Sequence, residues 1–309
     1  MGKGSPRALA VAGGVLLAVL VAAVVLLPRI GSGHGSAVGT SSLTVGVETP
    51  SSPPRDAVVL AEEAGTRAVA LAVGPGSRPT VTVTVLASSG KGLSGLAASI
   101  LSGRTAVHAR PCGPGCYRAA VPRSRRIEVR LSGSRPVAFT IPASPQAGTA
   151  ILARASRVFR TLRSLVYVES LRSGPTNGIV TTWRQVAPDR VTYQIRDGAA
   201  AVVIGRRRWD RDKPGGAWMR SSQIPPLRVP QPTWGTATSN AHVLAATRLG
   251  GRPVWIVSFV NPTIPAWFTA WIDRDSYRTL QLHMTAAAHF MFHRYLVFNR
   301  PLKIKPPTR

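Results

Sequence analysis

Between Tyr277 and Asn299 the chain reads YRTLQLHMTAAAHFMFHRYLVFN. From Leu280 onward the even-numbered positions are Leu280, Leu282, Met284, Ala286, Ala288, Phe290, Phe292, Leu296 and Phe298, with Arg294 as the one break. The odd positions hold Tyr277, Thr279, Gln281, His283, Thr285, His289, His293 and Asn299, diluted by Ala287, Met291 and Val297. A period of two belongs to an extended strand, whose successive side chains leave on opposite faces. An alternation this long predicts one long bent strand, or two strands in phase, with a single apolar face.

Upstream, shorter strands are predicted at Leu165–Leu171, Ile179–Val186, Arg190–Ile195, Ala200–Ile204, Val243–Thr247, Pro253–Val260 and Ala266–Ile272. One helix precedes them. Ser144 reads as its N-cap and Pro145 as its first helical position. Ile151, Ala155, Val158, Phe159, Leu162 and Leu165 fall on one helical face, away from Arg154, Arg157, Arg160 and Arg163. A helix followed by a large antiparallel sheet with one apolar face is an α+β layer. The stretch Trp218–Ala241 has no periodicity and carries Pro225, Pro226, Pro230 and Pro232. Loops of that length inside a domain often serve as lids.

Further upstream the rhythm changes. Asp56 to Pro142 holds about seven short strand signals separated by turn clusters such as Gly74-Pro75-Gly76. In Thr80-Val81-Thr82-Val83-Thr84-Val85 the alternation is strict. Strands of this length and number suggest an immunoglobulin-type β-sandwich. Gly31–Pro54, rich in Gly, Ser, Thr and Pro, reads as a flexible spacer. Ahead of it Ala8–Leu27 is an unbroken apolar run flanked by Lys3 and Arg7 on one side and Arg29 on the other. Its length fits a transmembrane anchor, for which about 20 apolar residues suffice, better than a cleaved leader. Cleavage after Ala37 is the alternative. The basic flank places the N-terminus in the cytoplasm and the bulk of the chain outside. The expected segments are therefore 1–29, stub and anchor; 30–55, linker; 56–143, sandwich; and 144–309, the α+β domain.

Net charge is +27, from 39 basic and 12 acidic side chains, with 44% apolar residues. That balance attracts anionic lipid or polyanion surfaces, although biased codon usage yields the same Arg-rich composition. Nucleic acid is a poor partner for an extracytoplasmic chain with no recognition motif. No nucleophile elbow, phosphate loop or His-Glu-x-x-His occurs, so no enzymatic activity is expected.

Cys112 and Cys116 are the two cysteines. Outside the cytoplasm such a pair is usually a disulfide; the alternative is a thiolate pair holding Cu(I) with His108. His283, His289, Met291 and His293 share one parity, and on a regular strand they would form a second copper-ligating row on one face, against the simpler reading of a polar outer surface. Seven tryptophans, Trp183 to Trp271, all fall after residue 144, as core or as walls of a cavity.

Two resemblances follow. The strand rhythm of Ala57–Pro142, with Cys112-Gly113-Pro114-Gly115-Cys116-Tyr117-Arg118-Ala119, resembles the CopC and YtkA type of immunoglobulin-like module and the soluble tails of CopD-like copper-resistance proteins. The copper-binding His and Asp–His pair of CopC domains have no counterpart here, so copper binding is not implied. Residues 147–307, closing on Tyr295-Leu296-Val297-Phe298-Asn299-Arg300-Pro301, are similar to the LolA and LppX lipoprotein-carrier fold. That resemblance implies a half-barrel with an apolar hollow, a lipid or lipoprotein ligand, and possible envelope partners. The hollow would be lined by Leu280, Leu282, Met284, Phe290, Phe292 and Leu296, with the loop around Pro225–Gly235 as its lid.

Overall fold

A computed structural model describes residues 52–176 and 178–308. The expected anchor Ala8–Leu27 and the spacer up to residue 51 lie outside the described residues. Among the described residues no helix is long and apolar enough to cross a membrane.

The N-terminal part holds β1 (Val58–Ala64), β2 (Arg67–Val73), β3 (Thr80–Leu86), β4 (Ala98–Ser102), β5 (Thr105–His108), β6 (Arg110–Gly113), β7 (Cys116–Ala120), β8 (Arg126–Leu131) and β9 (Val137–Thr140). They form two sheets, ordered β1-β2-β3-β7-β6 and β5-β4-β8-β9. The alternation in β3 fixes its faces: Val81, Val83 and Val85 enter the core between the sheets with Ile100, Ile127, Val129 and Phe139. Strand β2, RAVALAV, is buried on both faces for a reason visible in its side chains. Val69, Leu71 and Val73 point into the sandwich, while Ala68, Ala70 and Ala72 point outward. Small outward side chains let a second layer approach closely.

Cys112 and Cys116 form a disulfide across the β6–β7 hairpin, with Cα atoms 5.0 Å apart. Gly115 at its tip has φ +63°, and a Cβ there would lie 2.5 Å from the Val85 carbonyl oxygen. Only glycine combines that backbone conformation with that approach. The neighbouring Tyr117 hydroxyl donates to the Leu93 carbonyl at 2.7 Å and accepts from the Leu96 amide at 3.0 Å, pinning the β3–β4 connection.

The C-terminal part is one helix, α1 (Thr149–Arg160), on a twelve-stranded antiparallel sheet. Its strands are β10 (Gln146–Ala147), β11 (Ser164–Arg172), β12 (Gly178–Val186), β13 (Arg190–Ile195), β14 (Ala200–Ile204), β15 (Arg207–Arg211), β16 (Met219–Ser222), β17 (Ser239–Leu249), β18 (Arg252–Asn261), β19 (Ala266–Asp273), β20 (Thr279–Ala286) and β21 (His289–Phe298). In space they run β10-β17-β18-β19-β20-β21-β11-β12-β13-β14-β15-β16, curving around α1. The expected helix start is corrected. Ser144 and Pro145 do not cap it, because Gln146 and Ala147 pair with β17 and hold the chain extended until Gly148, the N-cap. Leu152, Ala155 and Phe159 are the buried face of α1, with Leu162 just beyond its end.

The stretch 277–299 is also corrected. It is two strands, β20 and β21, reversed at Ala287 and Ala288 between the paired Ala286 and His289. Opposed residues project from the same face. Met284 faces Met291 and Leu282 faces His293, so each even position on β20 matches an odd one on β21. The strands are thus out of phase. Leu282, Met284, Met291 and Tyr295 pack toward α1, whereas Phe290 turns to the other side of the sheet. A bulge then shifts the pairing from Tyr167↔Tyr295 to Val166↔Val297. Leu296 is the extra residue, 48% exposed, and Phe298 returns to the core side.

On that other side Phe290, Trp267 and Val260 meet Val59, Ala68, Ala70, Ala72 and Leu86 of the sandwich. Arg172 pairs with Glu63 at 2.9 Å, and the Asn240 side-chain amide donates to the Pro54 and Ala57 carbonyls. The two parts therefore share a packed apolar boundary.

Candidate ligand-binding hollow

Strand pairing stacks aromatic rings across the sheet on the α1 side. Tyr295, Tyr167, Trp183 and Tyr193 are successive cross-strand partners on β21, β11, β12 and β13. Tyr167 and Trp183 lie nearly parallel, with centroids 5.9 Å apart, and Trp183 and Tyr193 follow at 4.9 Å. The next row holds Gln185 opposite Val191. This is a broad, flat floor.

The roof is the aperiodic segment after β16. Leu227, Val229 and Trp234 turn inward from it and join the core. Trp234 is fully buried, its indole N–H donates to Ser156 Oγ on α1 at 3.0 Å, and its carbonyl accepts from the Asn261 amide at 2.9 Å. The segment is thus a strap tied at both α1 and β18. Between strap and floor lies a cavity of about 450 Å³. It is lined by Tyr167, Trp183, Gln185 and Val191 below, by Pro225 to Val229 and Gln231 to Thr233 above, and by Arg160 at the helix end. That volume falls within the usual range for small-molecule sites. Trp183 Nε1 and Gln185 Oε1, both on lining residues, are buried without a hydrogen-bond partner. Buried polar atoms are rarely left so unless something else satisfies them.

Beside the hollow lies a buried polar cluster. His293 Nε2 is 2.7 Å from Glu169 Oε2, and His293 Nδ1 is 3.1 Å from the Tyr295 hydroxyl. Burial, then the Glu169 and Tyr295 charges, push the Tyr167 phenol well above its ordinary value. Burial does the same to Tyr295, opposed by a hydrogen bond with Thr233 of the strap. The Tyr193 phenol is pushed up to about 12, mainly by burial. All three phenols stay neutral near neutral pH, and Tyr167 lines the cavity.

The six expected hollow residues are distributed differently. Leu282 and Met284 lie in the core on the α1 side. Phe290 is in the boundary with the sandwich, Phe292 sits edge-on to His283, Leu280 is buried outside the main core, and Leu296 is exposed at the bulge. None of the six lines the cavity; the expected lid segment does. The histidine row is likewise split, because the hairpin reverses parity: Met291 and His293 share the α1 side, whereas His283 lines a smaller cleft of about 300 Å³ between sheet and sandwich. His289 follows the parity of Met291 near the turn, its Nδ1 3.1 Å from the Ala287 carbonyl oxygen. The four do not share a face. Both cysteines are in the disulfide, and among the described residues no three His, Cys, Asp or Glu side chains converge as a metal site.

Trp183 was recognisable as a cavity-wall residue type, and the proline-rich strap stood out by its lack of period. Gln185 and Val191 carried no separate signal. Arg160 reads in sequence only as part of the polar helix face.

No family model and no curated protein matches the sequence. Among solved structures, the chain is similar to LprF from Mycobacterium bovis, at 13% identity over 52% of this chain and 97% of that one, TM-score 0.38. It is also similar to the lipoprotein LppX from Mycobacterium tuberculosis, at 13% identity over 50% of this chain and 97% of that one, TM-score 0.38. A LolA superfamily protein from Nitrosomonas europaea matches at 10% identity over 51% of this chain and 96% of that one, TM-score 0.25.

Proposed function

We propose that this chain is a non-enzymatic binding protein of the cell envelope that holds an apolar or amphiphilic molecule between the strap and the aromatic floor. The cavity under the strap carries this reading: its walls include Trp183, Tyr167, Val191, Leu227 and Val229, mostly apolar side chains around a space of small-molecule size. A ligand with an apolar body matches such walls. Burying each side-chain-sized apolar segment contributes roughly 1.5–3 kcal/mol, so a few such segments give usable affinity. Membrane anchorage rests on the length and charge-free character of Ala8–Leu27. The sandwich, which we read as immunoglobulin-type, holds the hollow away from the bilayer and offers a surface for an envelope partner.

The test is displacement of a fluorescent fatty acid from the full chain in phosphatidylcholine nanodiscs, with empty nanodiscs as reference. Val191→Trp, which fills the cavity from its floor, is expected to lower uptake at least tenfold while leaving the fold intact by circular dichroism. A wild-type chain that takes up no probe overturns the reading.

A further inference from the structure

We infer that the molecule held under the strap carries an anionic oxyacid head, a carboxylate or a phosphate, recognised at the mouth by Arg160 and Arg228; this rests on the hollow being a ligand site. The two arginines come from separate elements. Arg160 is the last residue of α1, and Arg228 lies in the strap between the inward-facing Leu227 and Val229. Both line the same cavity and both are exposed. Among the described residues neither has an acidic partner, and no aspartate or glutamate lines the cavity.

Some of the other arginines of this domain are engaged, although among the described residues Arg157, Arg184, Arg196, Arg206, Arg220 and Arg294 are not. Arg172 pairs with Glu63 and Arg208 with Asp210. Arg154 lies over Tyr277, Arg211 over Trp218, Arg274 over Trp255 and Arg278 over Phe298. At the mouth two guanidinium groups stand at the rim of a cavity that is apolar behind them. A planar guanidinium matches the two oxygens of a carboxylate or phosphate, and two of them approaching from different elements fix a head while the tail enters behind it. The competing explanation for Arg160 is the helix end itself, where a cation offsets the partial negative charge of the last carbonyls. Arg157 occupies the same last turn and lies outside the cavity lining, so it separates the two roles.

The experiment measures displacement of the fluorescent fatty acid from the full chain in phosphatidylcholine nanodiscs by dodecanoate, dodecyl phosphate, dodecanol and dodecyltrimethylammonium. The expected result is that the two anions bind roughly tenfold or more tighter than dodecanol, charge-assisted pairs being stronger than neutral ones. Arg160→Gln combined with Arg228→Gln should abolish that preference by weakening the two anions far more than dodecanol, whereas Arg157→Gln should keep it. The relative strength of the two anions identifies the source of the head. Equal binding of dodecanoate, dodecyl phosphate and dodecanol by the wild type overturns this inference but leaves the ligand site standing. A preference that survives the double variant also overturns it, assigning the effect to overall charge. If none of the four displaces the probe, the ligand-site reading falls, and this inference with it.

Discussion

The two faces of the twelve-stranded sheet are both apolar, yet they are filled in opposite ways. Toward the sandwich, Phe290, Trp267 and Val260 meet a row of alanines from β2, and small-against-large packing closes the boundary. Toward α1, the floor is large and flat, and its cover is a strap held by one tryptophan at Ser156 and Asn261. Large rings under a long irregular cover leave room; the alanines of β2 against the sheet pack closely, and the smaller cleft on that side lies beside β1 and β9. The difference separates a face that stores stability from a face that stores space, and substitutions on the two should diverge accordingly.

The largest effect belongs to the closed face. Phe290→Ala removes a ring from the boundary and is expected to destabilise the chain by about 3–5 kcal/mol, measured by denaturant titration. Probe uptake per folded molecule should be unchanged, since Phe290 does not line the hollow. Loss of uptake without loss of stability would reverse the assignment of the faces. Gly115→Ala tests the sandwich at its disulfide-bearing hairpin. A side chain at φ +63° that also meets the Val85 carbonyl is expected to cost about 1–3 kcal/mol, read as a lower melting temperature, with the hollow unaffected.

A smaller effect of opposite sign is expected at the hairpin. Ala288 has φ 55°, and Ala288→Gly should raise stability by about 0.5–1 kcal/mol in the same titration by relieving the left-handed conformation. A destabilised Ala288→Gly would put the reversal elsewhere and restore a single phase through 277–299. The smallest effect is a pH dependence at the cleft beside the sandwich. Burial, and after it the Arg172 guanidinium, hold the His283 imidazole below its ordinary value, with Glu63 opposing. The folded chain then takes up this proton less readily than the unfolded chain. Stability from this site is fullest above about pH 6.5 and falls as pH drops through that value toward the lower folded one. The drop is small, because the ring faces an open cleft, and His283→Gln should flatten it in melting curves taken across that range.

Within a single strand the residues dictated the outcome. Val81, Val83 and Val85 had to share a face, and they do. The arginine-free side of α1 is its buried side, through Ala155 and Phe159 of the expected stripe, with Leu152 buried in place of Ile151, which stays half-buried like Val158. The disulfide between Cys112 and Cys116 followed from the compartment implied by the apolar N-terminus and is present in the fold. Aperiodicity with several prolines marked the strap. What went astray crossed a boundary between elements. The reversal at Ala287 and Ala288 carries no Gly, Asn, Asp or Pro, so nothing local announced a turn, and a continuous alternation was read through it. One hidden reversal exchanged the faces of every residue beyond it, which scattered the expected hollow residues and divided the histidine row.

The sequence by itself determined most of the longer strands, which helical side is apolar, and that a long irregular segment interrupts the sheet, because these follow from side-chain period and turn chemistry along a few neighbouring residues; the short β5, β6, β10, β15 and β16 carried no such period. Tertiary structure alone decided which face each strand turns inward, where the strap is tied, and that Arg160 and Arg228 line one cavity. Those outcomes depend on cross-strand register and on contacts between residues far apart in the chain, 27 positions for Trp234 with Asn261 and 78 for Trp234 with Ser156, and no local pattern encodes either.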